Sequence, residues 1–281
     1  VQDFFLRHHE EKMNALFPTN TTDLSSILSS RMEIYLINLD RSADRLARMD
    51  MELSRLGLKF ERVAAVDGKE LTLPMREFDE RGYRRYHGRI ANVYEIGCYL
   101  SHVRCAERLL ASSASHALVL EDDLHLDDDL VPVLHAALDE QKEWDLLRLS
   151  TVNSGRKFDI RKLTDHRGLA VSLTREKGSG AYLINRKAAQ WIKNDLVPMR
   201  LPYDLAFDLE HLSGLRALFV NPVPIKQTAE RQSLIQNRLK MFRLPNTAYI
   251  TVLPVRAFME ASRFSARLAR LVVEMGKRVI A

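Results

Sequence analysis

The stretch MEIYLINLDRSADRLARMDMELSRLGLKFERVAAVDG, residues 32–68, decides the fold. Its first segment, Met32 to Asp40, is rich in strand-forming residues and ends in polar ones. The next segment, SADRLARMDMELSRLG, places Leu46, Met49, Leu53 and Leu56 on one helical face. Ser42 is positioned to cap that helix and Gly57 to end it. The run KFERVAAVDG then returns as a strand and closes in a turn at Asp67-Gly68. A core that begins β-α-β predicts an α/β fold, an open sheet of mostly parallel strands flanked by helices.

Outward from that unit, Glu70 to Arg89 holds five arginines and little periodicity, and is expected to be a loop. The segment EIGCYLSHVRCAERLLAS reads as a helix that turns Ile96, Tyr99, Leu100, Val103, Ala106, Leu109 and Leu110 inward. ALVLEDD forms the third strand. Beyond it lie a helix (Leu130 to Gln141), a strand WDLLRLST, a loop at Gly155, a strand LAVSLT, and the turn, strand and helix of GSGAYLINRKAAQWI. LPYDLAFDLEHL is expected to be a short helix with Asp204 and Asp208 on one face, since they stand four apart. ALFVNPVPIKQ is placed at the sheet edge, because Pro222 and Pro224 cannot donate to a central ladder. The chain thus divides into a polar leader (1–31), an α/β domain (32–235) and a basic helical C-terminal extension (236–281), with no internal repeat.

The 281 residues are 46% hydrophobic, enough for a core, and 42 Lys plus Arg against 37 Asp plus Glu leave +5. That excess is uneven. From Gln236 onward there are nine basic and two acidic residues, about +7, so the body is slightly acidic. Cys98 and Cys105 stand seven apart on one predicted helix, roughly 10 Å between Cα atoms, too far for a disulfide. Reduced thiols suit a reducing compartment. VQDFFLRHHEEKMN lacks the order of a secretory signal, and no run approaches the length of a membrane span. The expectation is a cytoplasmic protein, or one attached to a membrane from outside.

In HALVLEDDLHLDDDL (His116 to Leu130), six carboxylates fall within the nine positions 121–129, directly after an apolar strand. Like charges so close raise one another's pKa and cost stability unless something compensates. Asp127 to Asp129 precede an apolar helical pattern and read as a helix cap. Glu121 to Asp123 read either as a solvated loop or as ligands of a divalent cation such as Mg²⁺ or Mn²⁺. Ligands in open α/β sheets bind at strand carboxyl ends, which is where these three residues sit.

The segments YLINLDRSADR, FERVAAVDG, EIGCYLSHVRCAE, ALVLEDD and GSGAYLINRKAA, in this order, resemble glycosyltransferase family 25, the type that builds lipooligosaccharide and lipopolysaccharide cores and that includes collagen galactosyltransferase domains. The resemblance covers about Met32 to Ser233. It implies a GT-A-like fold, an inverting transfer from a UDP-sugar, most often UDP-galactose, and a divalent cation (Mn²⁺ or Mg²⁺) held by Glu121 and Asp123. It also implies donor-side roles for Asn38, Asp40, Arg41, Asp67, His102 and Asp122. His102 reads first as a satisfied, partly buried histidine, although Ser101-His102 matches a family motif. An inverting transfer needs a carboxylate base for the acceptor hydroxyl, and Asp204 and Asp208 are the candidates. A helix cap after Pro202 is the competing reading of Asp204. The long leader and the basic tail depart from the family pattern.

In the tail, Phe258, Phe264, Leu268, Leu271, Val272 and Met275 are predicted to form an apolar face beside Arg263, Arg267, Arg270, Lys277 and Arg278. Such a helix suits either an anionic membrane surface bearing a lipid-linked acceptor or packing within the core or an oligomer. No aromatic platform accompanies the charge, so nucleic acid is not an expected partner. Taken with the resemblance, these features predict a hexosyltransferase, for galactose or glucose, acting on a lipopolysaccharide or lipooligosaccharide core at the cytoplasmic face of the inner membrane. Two alternatives remain open: a metal-dependent nucleotidyltransferase, and a non-catalytic membrane or protein adaptor on the same fold.

Overall fold

A computed structural model describes residues 27–153, 155–228 and 249–280. The leader up to residue 26 and the start of the predicted extension, 236–248, lie outside the described residues. The strands β1 (Met32–Asn38), β2 (Glu61–Ala64), β3 (His116–Glu121), β5 (Leu146–Arg148), β6 (Lys157–Lys162), β7 (Gly168–Ser172), β8 (Ala181–Asn185) and β9 (Ala217–Asn221) form one sheet. Its order is β2-β1-β3-β8-β5-β9-β7-β6. Following the pairings across the sheet, six strands run one way and β8 and β7 run against them. A two-stranded ribbon pairs β4 (Leu124–Leu126) with β10 (Ile225–Gln227).

The opening β-α-β unit forms as its pattern demands. β1 and β2 pair in parallel, and the helix α1 (Ala43–Arg55) between them buries Met49 and Leu53. Gly57 takes the left-handed φ of 67° that ends the helix. Ser42 holds the cap position without a side-chain cap bond. The helix α3 (Val93–Ala111) docks on the turn after β2, and glycine makes the approach possible: a Cβ at Gly97 would stand 2.5 Å from the Val66 carbonyl oxygen. One turn on, the Ser101 hydroxyl accepts the Val66 N–H at 2.9 Å. Helix α4 (Leu130–Asp139) comes after β4, and α5 (Arg186–Asp195) comes directly after β8 and packs beside α3.

Three expectations are corrected. Glu80–His87 is a helix, α2, not loop. Its arginines obscure an inward face of Tyr83 and His87, capped by Asp79 and ended by Gly88 at φ 74°. β9 is interior, between β5 and β7, because both prolines fall beyond its last residue. The edges belong to β2 and to β6, whose polar sequence KFDIRK buries only Ile160.

The third correction concerns Asp204 and Asp208. Helix α6 (Tyr203–Ala206) passes into a 3-10 turn at Phe207–Ser213, and the change of winding sends the two carboxylates apart. Asp204 stays half-buried at the surface, whereas Asp208 is fully buried. Its partners come from the long helix α7 (Tyr249–Ile280) and the sheet: Arg263 Nε at 2.6 Å, Arg267 Nη2 at 2.8 Å and Arg148 Nη2 at 3.2 Å. Arg267 also binds Glu210 at 3.0 Å. Arg263 and Arg267 therefore point into the protein, and the outward face of α7 shows Ile250, Phe258, Phe264, Val272 and Met275. The sequence set the C-terminal helix apart as a basic extension; in the fold, residues 249–280 are latched to the core by its arginines. No described helix is long and apolar enough to cross a membrane.

Burial pushes the Asp208 carboxyl up, but Arg267, Arg148 and Arg263 outweigh it and hold the group below the usual carboxylate range. A lowered folded-state pKa means that its stabilisation is complete above the unfolded carboxylate range and is lost as pH falls through the lowered value. Asp208→Ala leaves three buried guanidinium groups without their shared partner and should cost about 3–5 kcal/mol at pH 7. Thermal melts of the two proteins test this; equal melting temperatures at pH 7 contradict the latch.

Candidate functional site

β3 has a parallel neighbour on one side and an antiparallel one on the other. Its carboxyl end opens beside a cleft of about 650 Å³, whose walls include Glu95, Cys98, Glu121, Arg175, Tyr203 and Asp204. These walls draw on α2 and the residue Arg89 beyond it, helix α3, the end of β3, β4, the loop after β5, the loop before β8, α6, β10 and the start of α7. The cleft is therefore a property of the fold and not of one motif.

The six carboxylates after β3 separate into two groups. Asp127 and Asp129 share Arg167, at 2.9 and 2.7 Å, and Asp127 also meets Lys226 at 3.1 Å. Asp128 pairs with Arg55. Although Asp129 occupies the cap position of α4, its side chain makes no cap bond. This half of the cluster fastens the strand ends together.

Of Glu121, Asp122 and Asp123, Glu121 lines the cleft, while Asp122 and Asp123 sit in the turn between β3 and β4. Asp122 is buried, accepts the Asn38 amide at 2.7 Å and meets Arg45 at 2.7 Å. Asp123 Oδ2 lies 3.1 Å from the same Arg45 and accepts the Gln227 amide at 3.2 Å. Its Oδ1 is buried with no hydrogen-bond partner among the described residues. Burial and the neighbouring Glu121 charge push the Asp123 carboxyl up to about 6, and burial raises Asp122 as well. Among the described residues, the site thus holds more negative charge than Arg45 compensates. A divalent cation suits that deficit, since hard cations take carboxylate oxygens, and Glu121 with the unpaired oxygen of Asp123 would hold it.

A second donor set shares Glu121. Cys98, His102 and Glu121 each offer one ligand atom within 4.8 Å of the others. Thiolate and imidazole favour softer metals than Mg²⁺. His102 is held from behind: Nδ1 lies 3.0 Å from the Tyr182 hydroxyl, and the ring stacks on Tyr203 at 4.2 Å. Nε2 faces Glu121 Oε1 at 3.3 Å. Its place follows from Gly97 and Ser101, which seat α3 on the β2 turn and aim the next residue at β3.

Of the other residues singled out in the sequence, Asn38 and Asp122 meet directly. Asp40 binds Arg62 and Arg41 binds Asp67, while Asp67 also accepts the Lys69 N–H at 3.0 Å. These groups ring the carboxyl end of β1 and do not line the cleft. Asp204 does line it, 3.7 Å from Arg175 Nη2. Asp208 belongs to the buried latch, so Asp204 alone of the two base candidates faces the cleft.

Sequence reading missed Glu95, Arg175, Lys177, His87, Arg89 and Arg256, all of which line the cleft. Only Glu95 left a signal. Asn92 is the cap of α3 and Glu95 stands three residues on, a capping-box spacing. Its carboxylate also accepts the Tyr83 hydroxyl at 2.7 Å, and burial raises its pKa.

The profile described as "Glycosyltransferase family 25 (LPS biosynthesis protein)" matches residues 32–207. A "Glycosyltransferase 25 family member" of Drosophila pseudoobscura pseudoobscura is 39% identical over 99 residues, 34% of this chain and 16% of the relative. "Procollagen galactosyltransferase 1-A" of Xenopus laevis is 33% identical over 128 residues, 42% of this chain and 21% of the relative. The chain thus spans about a fifth of the length of such relatives or less. Among solved structures, a glycosyltransferase involved in glycosylation of the PBCV-1 major capsid covers 75% of this chain and 99% of its own at 8% identity and a TM-score of 0.39, a likeness too distant to bear on function.

Because the folded-state pKa of Asp123 is raised, its ionised form costs stability that the protonated form does not. That cost is absent below the unfolded carboxylate range and grows until pH passes about 6. In metal-free buffer, Asp123→Asn should therefore stabilise the protein by roughly 1–2 kcal/mol at pH 7.5 and by almost nothing near pH 3. Chemical denaturation at the two pH values checks this; a mutant equally or less stable at pH 7.5 removes the charge deficit.

Proposed function

The chain belongs to glycosyltransferase family 25, and from that premise we propose that it transfers a hexose from a UDP-sugar to a saccharide acceptor with inversion. Galactose is the favoured sugar, with glucose second, since procollagen galactosyltransferase is among its relatives. The family description, which refers to LPS biosynthesis, favours a lipopolysaccharide or lipooligosaccharide core as the acceptor. The observation that carries the reading is the acidic turn at the cleft: Glu121 on its wall and, two residues on, Asp123, whose buried Oδ1 has no hydrogen-bond partner among the described residues.

Bound between these carboxylates, Mn²⁺ or Mg²⁺ would offset the negative charge that builds on the departing diphosphate. The protein's own part is positional and basic. Asn38 and Arg45 fix Asp122, which holds the turn after β3 in place, with Glu121 on the cleft wall and one oxygen of Asp123 uncommitted among the described residues. Asp204, on the cleft wall and braced by Arg175, takes the proton of the acceptor hydroxyl as that oxygen attacks the anomeric carbon. Inversion results from attack on the face opposite the leaving group. Asn38, Asp40, Arg41 and Asp67, at the carboxyl end of β1, are the donor-side groups in this reading.

A lipid-linked acceptor would place the enzyme at the cytoplasmic face of the inner membrane. The outward apolar residues of α7 support contact with such a surface. Attraction through Arg263 and Arg267 does not, because both are buried.

The test is UDP release from UDP-galactose and UDP-glucose, with and without Mn²⁺ and an acceptor oligosaccharide. Wild type should turn over UDP-galactose only with the metal. Asp123→Ala should lose donor binding. Asp204→Asn should lower kcat by roughly 10²–10⁴ with donor affinity unchanged. Pyrophosphate release from a nucleoside triphosphate would instead make the protein a nucleotidyltransferase, and absence of both turnover and donor binding would make it an adaptor.

A further inference from the structure

The end of the cleft formed by α2 and α7 has the opposite character from the acidic end. His87, Arg89, Arg175, Lys177 and Arg256 all line the cleft. His87 is only 7% exposed, yet neither of its ring nitrogens has a hydrogen-bond partner among the described residues. A buried imidazole normally satisfies at least one nitrogen, and leaving both unpaired costs free energy. Arg175 Nε is buried and, among the described residues, has no hydrogen-bond partner either.

The surroundings of His87 are cationic. Burial pushes its pKa down to about 3, and Arg89, Arg256 and Arg175 add to the shift, so three guanidinium groups act on one neutral ring. Arg256 reaches the same residue from α7, donating to the His87 carbonyl at 3.3 Å. The carboxylates nearest this end are already engaged. Asp204 lies 3.7 Å from Arg175, and Glu95 accepts the Tyr83 hydroxyl. Positive charge therefore gathers around an imidazole whose nitrogens have no hydrogen-bond partner among the described residues.

We propose that His87, Arg89, Arg175 and Arg256 form an anion subsite that takes a phosphate-class group of one of the substrates. A tetrahedral oxyanion offers acceptors in several directions at once, which matches an imidazole N–H and guanidinium groups converging from separate segments. It also neutralises their mutual repulsion. The group belongs either to the diphosphate of the donor or to a phosphate substituent of the acceptor. Its assignment to a transfer substrate rests on the transferase reading above, whereas the anion site itself does not.

The experiment is calorimetric titration of inorganic phosphate into the full chain at constant ionic strength. Wild type should bind one equivalent saturably. Arg175→Gln and Arg256→Gln should each weaken binding about tenfold or more, and the exposed control Arg84→Gln should not. Phosphate should also shift the His87 ring resonances in a ¹⁵N spectrum. Absence of saturable binding, equal affinity in all four proteins, or equal loss in the control would overturn the proposal. Competition then locates the source. Displacement of phosphate by UDP with Mn²⁺ assigns the subsite to the donor, and phosphate bound alongside UDP assigns it to the acceptor. An Asp123→Ala protein that binds phosphate normally keeps the subsite even where the UDP-sugar reading fails.

Discussion

The structure turns on the position of β3, which is paired in parallel with β1 and antiparallel with β8. A strand with neighbours on both sides has its backbone groups satisfied along its length, so its apolar residues run fully buried to Leu120. The residues after it emerge at a fixed point. Here they are three consecutive carboxylates, delivered where two halves of the sheet meet and the cleft begins. Asp122 is fixed by Asn38 and Arg45, while Asp123, held through Oδ2 by Arg45 and Gln227, keeps a buried Oδ1 with no hydrogen-bond partner among the described residues. The described residues thus hold a concentration of negative charge that Arg45 neutralises only in part.

The rest of the charge distribution complements this point. The second half of the acidic run is absorbed by Arg167, Arg55 and Lys226. The arginines of α7 serve Asp208 and Glu210 inside the protein, which explains how a strongly basic tail and a slightly acidic body coexist. Arg256, near the start of the same helix, contributes to the basic end of the cleft. One helix therefore closes the core and shapes the site, and the two ends of the cleft differ in sign.

Sequence reading succeeded where structure is local. The spacing of Leu46, Met49 and Leu53 declares a helix, and the apolar run before Glu121 declares a strand that ends at acidic residues. Five ordered segments carried the family. The reading failed where a residue's environment is set by distant partners. Asp208 looks like a surface carboxylate because Arg263 and Arg267, which bury it, stand 55 and 59 positions away. α2 reads as loop because the helix against which it packs is at the other end of the chain. β6 is polar because an edge strand needs only half its surface covered. The basic end of the cleft had no motif at all, since its cations come one or two at a time from separate segments.

The most direct test of the central claim is a crystal of the protein grown with UDP and Mn²⁺, with anomalous scattering used to locate the metal. The account predicts one strong peak coordinated by Glu121 and Asp123, with oxygens of the nucleotide completing the shell. A peak held instead by Cys98 and His102, or nucleotide density with no metal at the end of β3, would contradict it.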